Sequence, residues 1–429
     1  MIGAFGACDP LAHIEQERVE IASLDRLEPI VHTLPFARLF GGAFERVQTR
    51  FDLGQQIGDA IGIVARVVQV TLGLIGFHLQ AGQIGGMLEE TAPFFRALTH
   101  YASDGSYSWH CPGHSGGVAF LKSPVGQMFH QFFGENMLRA DVCNAVEELG
   151  QLLDHTGPVA ASERNAARIF NCDHLYFVTN GTSTSNKIVW HSTVAPGDIV
   201  VVDRNCHKSV LHAIMMTGAI PVFLMPTRNN YGIIGPIPKS EFAWENIQKR
   251  IAANPFITDK NAKPRVLTIT QSTYDGVLYN VEAIKDELDG RIDTLHFDEA
   301  WLPHAAFHDF YGDYHAIGAD RPRCKESMIF STQSTHKLLA GLSQASQILV
   351  QDAENYKLDR DIFNEAYLMH TSTSPQYSII ASCDVAAAMM EEPAGTALVE
   401  ESIAEALDFR RAMRKVDEEW GADWWFKVW

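Results

Sequence analysis

Ser334-Thr335-His336-Lys337 ends the polar run Ser331-Thr332-Gln333-Ser334-Thr335-His336, which follows the apolar stretch Ser327-Met328-Ile329-Phe330. The lysine therefore sits where a strand ends. Upstream, in His296-Phe297-Asp298-Glu299-Ala300-Trp301, a carboxylate follows a second strand-like run, Thr294-Leu295-His296-Phe297. One amine and one carboxylate at the carboxyl ends of two strands are what pyridoxal phosphate (PLP) requires: a Schiff-base lysine, and an acid that keeps the pyridine nitrogen protonated. Taken singly, each residue has a plainer reading. A lone lysine is usually solvated surface, and an aspartate after a strand is most often a helix cap or a turn.

Tyr176-Phe177-Val178-Thr179-Asn180-Gly181-Thr182-Ser183-Thr184-Ser185-Asn186-Lys187 reads as a short strand, a glycine turn and hydroxyl residues that open a helix. Such a junction offers free backbone N–H groups and a positive dipole end to a phosphate, with hydroxyls as further donors. An ordinary Ser/Thr N-cap gives the same letters. Order separates the two: a phosphate-type junction, an acid and a lysine follow one another along a single strand–helix alternation. His207 follows the strand-like Ile199-Val200-Val201-Val202-Asp203 and the turn Arg204-Asn205-Cys206, so it too falls at a strand's carboxyl end. There an imidazole either stacks on a pyridine ring or bonds a carbonyl in the core; its place in the series favours stacking.

These segments, with Ser272-Thr273-Tyr274-Asp275-Gly276, resemble the bacterial Orn/Lys/Arg decarboxylases, large PLP enzymes of the aspartate-aminotransferase fold type. The resemblance covers residues 91–429 and includes Cys111-Pro112-Gly113-His114 and Asn364-Glu365-Ala366-Tyr367 with His370-Thr371-Ser372-Thr373-Ser374-Pro375. It implies that Lys337 carries PLP, Asp298 pairs with the ring nitrogen and His207 stacks on the ring face. It also implies that Thr182, Ser183, Ser334 and His336 hold the phosphate and that Trp301 lies near the ring hydroxyl, although plain core packing explains a tryptophan equally simply. Tyr274 and Asp275 are expected to shape the surroundings of the ring. Residues 371–374 match a family segment that reaches a neighbouring subunit's site, which implies a homodimer.

The implied activity is PLP-dependent decarboxylation of a basic L-amino acid, lysine or arginine rather than ornithine, to the amine and CO2. That reaction consumes a proton, so acid-stress or polyamine roles follow by family analogy. Two other readings stay open. Another fold-type-I PLP enzyme, such as an aminotransferase, needs an arginine clamp for the α-carboxylate, and none stands out near the end of the chain. A catalytically inactive module, kept for cofactor binding or oligomerisation, is the second.

Composition narrows the field. A chain of 429 residues has ample material for a large core, and 46% hydrophobic with 20% charged residues is ordinary for a globular protein. A formal net charge of -18 argues against nucleic acid or an anionic membrane as partner and is compatible with a cationic substrate. Seven dispersed cysteines without CxxC spacing suggest reduced thiols and a cytoplasmic address. No HExxH occurs, and His207 and His212 are not spaced to share a helix face, so no metal site is expected. Asp9 cuts the N-terminal apolar run short of a secretory signal, and the apolar stretch at 67–77 is too short to span a bilayer.

From residue 165 to 350 the apolar runs are short and β-branched, at 175–178, 199–203, 221–225, 266–270, 294–297, 327–330 and 347–351, with helical stretches such as 246–253 and 281–288 between them. This predicts an α/β fold: a mainly parallel seven-stranded sheet with one antiparallel strand, as in the PLP fold-type-I large domain. Ligands bind such sheets at the strands' carboxyl ends, where the candidate groups fall. Residues 1–90 are expected to form a divergent or remnant wing-like region, and 91–164 a helical linker and entrance loop. Residues 165–383 are expected to form the PLP-binding major domain, and 384–429 the start of a truncated C-terminal domain. Periodicity predicts a helix over 142–153, stopped by Gly157-Pro158, and the turn Cys111-Pro112-Gly113-His114-Ser115-Gly116-Gly117 is suited to positive φ angles.

Overall fold

Short runs of Val, Ile, Leu, Phe and Thr, too short for helices and flanked by turns, pair into one sheet. The computed structural model describes residues 91–429 apart from 145, 320, 424 and 427–429. The segment 1–90, with its apolar stretch at 67–77, lies outside the described residues. The strands are β1 (His174–Val178), β2 (Ile199–Asp203), β3 (Ile220–Leu224), β4 (Val266–Thr270), β5 (Thr294–Asp298), β6 (Met328–Gln333) and β7 (Ser346–Gln351). Their order in space is β1-β7-β6-β5-β4-β2-β3. Neighbours from β3 to β6 run parallel, and β7 is antiparallel to both β6 and β1. The expected mainly parallel seven-stranded sheet with one reversed strand is the observed one.

The α-helices are α1 (Pro93–Ser103), α2 (Pro124–Phe133), α3 (Glu135–Ala140), α4 (Gly157–Ile169), α5 (Thr182–Thr193), α6 (Lys208–Thr217), α7 (Lys239–Phe242), α8 (Trp244–Ala253), α9 (Val281–Leu288), α10 (Thr335–Leu338), α11 (Arg360–His370), α12 (Tyr377–Met389) and α13 (Ala394–Trp420). Side chains alternate across the strands. Val200, Val202 and Val266 pack with Trp190 of α5 and Val210 and Ala213 of α6. Val201, Leu267, Ile269, Leu295 and Phe297 join the larger core with Ile247, Ile251, Ile284 and Leu288. Helices thus cover both faces, and the carboxyl ends of the parallel strands stay open. Helix α4 runs through residue 164 and α12 through residue 383, so no element breaks at either position. Among the described residues no helix is long and apolar enough to cross a membrane.

Two local expectations are corrected. The apolar residues of 142–153 are buried as periodicity required (Val142, Val146, Leu149, Leu152), but only a 3-10 turn, Glu147–Leu149, forms there. Gly150 breaks the run with φ 70° and ψ -175°, and a Cβ at that position would lie 2.2 Å from the Thr156 carbonyl oxygen. Gly157 and Pro158 open α4 instead of ending a helix, since proline fits the first turn, where its missing N–H has no partner to lose. The turn at 111–117 does adopt positive φ at Ser115, Gly116 and Gly117.

Asp384 of α12 ties the first helix to the core by accepting the N–H groups of Phe94 and Phe95, each at 3.0 Å. Burial pushes its carboxyl up to about 6, against the hydrogen bonds from Phe95, Ser162 and Phe94. A carboxyl whose folded pKa is raised contributes stability below its unfolded pKa and loses that contribution as pH climbs through the folded value. Asp384→Asn, which keeps an acceptor but carries no charge, should therefore gain on the parent by on the order of 2 kcal/mol between pH 4 and pH 7.5, read from denaturant midpoints at each pH.

Candidate functional site

Asp298, the last residue of β5, is 4% exposed. Its Oδ2 accepts from Asn186 Nδ2 at 2.8 Å and its Oδ1 from the Ala300 N–H at 3.2 Å. Burial raises its pKa; the bonds from Asn186 and Ala300 and the positive charge of Lys337 pull the other way. A desolvated carboxylate with only neutral donors bonded to it is a strong acceptor for a cationic N–H.

Lys337 lies on the one-turn helix α10, next along the sheet edge, because β6 pairs with β5 in a register that sets Thr332 beside Asp298. It is half-buried, with Nζ 4.4 Å from the ring centroid of Trp301. Burial lowers its pKa, with the Asp298 carboxylate opposing. At 4.4 Å a cation–π contact holds the amine when charged, and the depressed pKa raises the share of free amine at neutral pH. Trp301 is half-buried, not sealed in the core, and meets the exposed Tyr274 edge-on at 5.9 Å. Asp275 is exposed on the same turn.

Helix α5 is preceded by Gly181, its N-cap residue, which takes φ 76° and ψ 165° and offers no side-chain cap. A Cβ there would meet nothing within 4 Å, so the space before the helix is open. The Thr182 and Ser183 N–H groups find no acceptor among the described residues, and Ser183 is exposed. Thr182 turns inward: its Oγ1 lies 2.6 Å from Ser334 Oγ and 2.8 Å from Ser346 Oγ. These hydroxyls staple the start of α5 to the segment that bears the lysine. His336 donates Nδ1–H to the Ala345 carbonyl at 2.7 Å, leaving Nε2 as its outer edge.

His207 caps α6, its Nδ1 accepting the Ser209 N–H at 3.2 Å, and its ring is exposed. All eight residues expected from the sequence thus lie at the carboxyl edge of the sheet. Asn186, Ser209 and Thr332 join them without having been assigned a role. Their one advance sign is polarity on faces that the helix and strand periods turn inward. Residues 372–374 are exposed after α11, following a buried Thr371. Among the described residues no group of His, Cys, Asp and Glu is gathered as a metal site.

The donor set fits a flat, phosphorylated pyridine: an open helix start for the phosphate, a buried acceptor for the ring nitrogen, and an amine between them. Residues 92–429 match the family model described as Orn/Lys/Arg decarboxylase, major domain. The chain belongs to this family. It is 58% identical over 338 residues to the lysine decarboxylase LdcA of Pseudomonas aeruginosa, covering 79% of this chain and 45% of that protein. It is 46% identical over 340 residues to the biodegradative arginine decarboxylase of Escherichia coli, covering 79% of this chain and 45% of that protein. The solved structure of lysine decarboxylase A from Pseudomonas aeruginosa superposes with a TM-score of 0.76 at 56% identity, over 81% of this chain and 46% of that one. The chain thus spans about half the length of these relatives.

Gly181→Ala should cost only about 1 kcal/mol, the strain of a side chain at positive φ, because nothing waits to clash with the new methyl. Gly150→Ala, aimed at a carbonyl, should cost more than twice as much. Equal losses in urea unfolding would refute this account of the open junction.

Proposed function

We propose that this chain binds pyridoxal phosphate and carries the cofactor half of a decarboxylase for basic L-amino acids, with lysine the favoured substrate. The observation that carries the reading is the buried Asp298 carboxylate one strand away from the half-buried amine of Lys337. Bound there, PLP supplies an electron sink for the pair left behind when a carboxylate departs as CO2. Asp298 accepts the proton-bearing ring nitrogen, and its desolvation strengthens that bond. Lys337 is the attaching amine, made more nucleophilic by burial, and Trp301 fixes its reach. His207 offers an imidazole face to the ring. Gly181, Thr182, Ser183, Ser334 and His336 frame the phosphate, with the α5 N–H groups as donors. Lysine is favoured over arginine because the more similar of the two relatives acts on lysine. The six free cysteines among the described residues agree with a cytoplasmic address.

The test is spectroscopic and chemical. Purified chain with PLP should turn yellow, fix the cofactor on Lys337 with borohydride, and release CO2 from lysine at least about tenfold faster (as kcat/KM) than from ornithine. Lys337→Ala should lose both the fixed cofactor and the CO2. A yellow protein that fixes PLP on Lys337 yet releases no CO2 from lysine, arginine or ornithine sinks the enzyme reading and leaves a cofactor-binding module.

We also propose a homodimer. Residues 372–374 stand exposed after α11, and α2 shows Val125, Met128 and Phe132 to solvent at 77%, 72% and 82% exposure, more apolar surface than one short helix ordinarily leaves uncovered. Light scattering should give twice the chain mass; a monomer that still holds PLP with full occupancy overturns the dimer.

A further inference from the structure

Behind Asp298 a buried hydrogen-bond chain crosses three strands and returns to α5. Trp190 Nε1–H donates to Thr268 Oγ1 at 3.1 Å, and Thr268 Oγ1 lies 3.1 Å from His296 Nδ1. His296 Nε2 lies 3.0 Å from Thr332 Oγ1, and Thr332 donates to Asn186 Oδ1 at 2.7 Å. Asn186 Nδ2 then donates both of its hydrogens, to Asp298 Oδ2 at 2.8 Å and to Ser209 Oγ at 2.9 Å. Ser209 Oγ lies 2.9 Å from His207 Nδ1. From Trp190 to Ser209 each member is at most 2% exposed, apart from Asp298 itself.

The direction of every bond follows from the carboxylate. Asp298 only accepts, so Asn186 must face it with its amino side and turn Oδ1 to Thr332. Thr332 must then donate, so its oxygen accepts from His296 Nε2–H. His296 is neutral, its pKa pushed down to about 3 by burial, so its Nδ1 accepts, and Thr268 supplies that hydrogen while accepting from Trp190. On the other branch, Ser209 accepts from Asn186 and so gives its hydroxyl hydrogen to His207 Nδ1, which also takes the Ser209 backbone N–H. His207 is left with its proton on Nε2.

We propose that Asn186 is a positioning residue, locked amino side toward Asp298 by the chain Trp190–Thr268–His296–Thr332, and that through Ser209 it reinforces the His207 tautomer that the Ser209 backbone N–H selects. The consequence at the ring rests on the cofactor reading above; the chain itself does not. With Asn186 locked, Asp298 keeps Oδ2 satisfied and cannot swing, and His207 presents a face of fixed orientation. Unlocked, the amide can flip and set its oxygen against the carboxylate, a repulsive contact in a water-free site.

The test uses the full chain labelled with nitrogen-15 in its histidine rings, with His207→Gln and His296→Gln assigning the signals. In the parent, without cofactor, both His207 and His296 should carry the proton on Nε2 at pH 7.5, and His296 should not titrate between pH 5 and 8. A proton on Nδ1 of His296 in the parent overturns the proposal with no substitution in the chain at all. Thr332→Val, which removes the acceptor of His296 Nε2–H, should turn His296 into a mixture of tautomers and weaken PLP binding about tenfold, and Thr332→Ser should restore both. Parent-like tautomer and parent-like PLP affinity in Thr332→Val also overturn it. If the tautomer moves as stated but no chain, parent included, fixes PLP on Lys337, the positioning chain stands and the cofactor reading falls.

Discussion

Asp298 carries a carboxylate into a place where water cannot solvate it, and the surrounding structure is organised to make that tolerable. A buried charge is costly unless hydrogen-bonded, and the two donors that reach it, Asn186 and the Ala300 N–H, come from a helix and from the turn just beyond the strand. Asn186 can be there only if α5 packs its inner face directly on β5 and β6. Asn186 lies one helical turn, about 6 Å, beyond Thr182 at the start of the helix. The same helix therefore fixes the distance between its open, anion-attracting start and the buried acid. A ligand with an anion at one end and a ring nitrogen at the other meets both without either group having to move.

The next residue shows how alternation separates two acids that adjoin in sequence. Glu299 turns toward the opposite side and is also buried, but it is fully engaged: it accepts from the Ala316 N–H at 2.6 Å, Ser331 Oγ at 2.5 Å and Gln333 Nε2 at 3.1 Å. Burial raises its pKa, and the Ser331, Gln333 and Ala316 bonds oppose the shift. Those bonds hold the segment from Ala300 to Ala316 against β6 and so fix where Trp301 stands. Asp298 accepts from one side chain and one backbone N–H, whereas Glu299 accepts from two side chains and a backbone N–H.

Six of the seven strands were legible within a residue at each end, because β-branched runs between turns leave few alternatives. Strand β6 was read three residues short. Ser331, Thr332 and Gln333 look like loop residues when polarity is the guide, but each is buried against a partner that only the fold supplies: Glu299, Asn186 and Gln347. The run at 142–153 failed for the opposite reason, since its apolar spacing is right and a single glycine with positive φ redirects the chain. The candidate groups could be placed at one edge from the sequence because they follow the ends of strands. Their support could not: Thr268, His296 and Thr332 become neighbours only once β4, β5 and β6 are known to lie side by side in register.

The reversed strand explains how the lysine turn comes to lie against the glycine turn that opens α5. Because β7 is antiparallel, it starts at the same edge where the parallel strands end, and Ser346 pairs with Val178, the last residue of β1. The segment between β6 and β7 need not cross the sheet, so it stays at that edge and folds back on itself, His336 N–H and Nδ1 both bonding the Ala345 carbonyl. Gln344 accepts the Gly181 N–H at 2.9 Å, and Ser346 lies within hydrogen-bonding distance of Thr182 and Ser185. A parallel β7 would begin at the far edge and carry these contacts away with it. One inverted strand thus joins the start of α5 to the lysine turn, while the parallel pairing of β5 and β6 joins that turn to the acid.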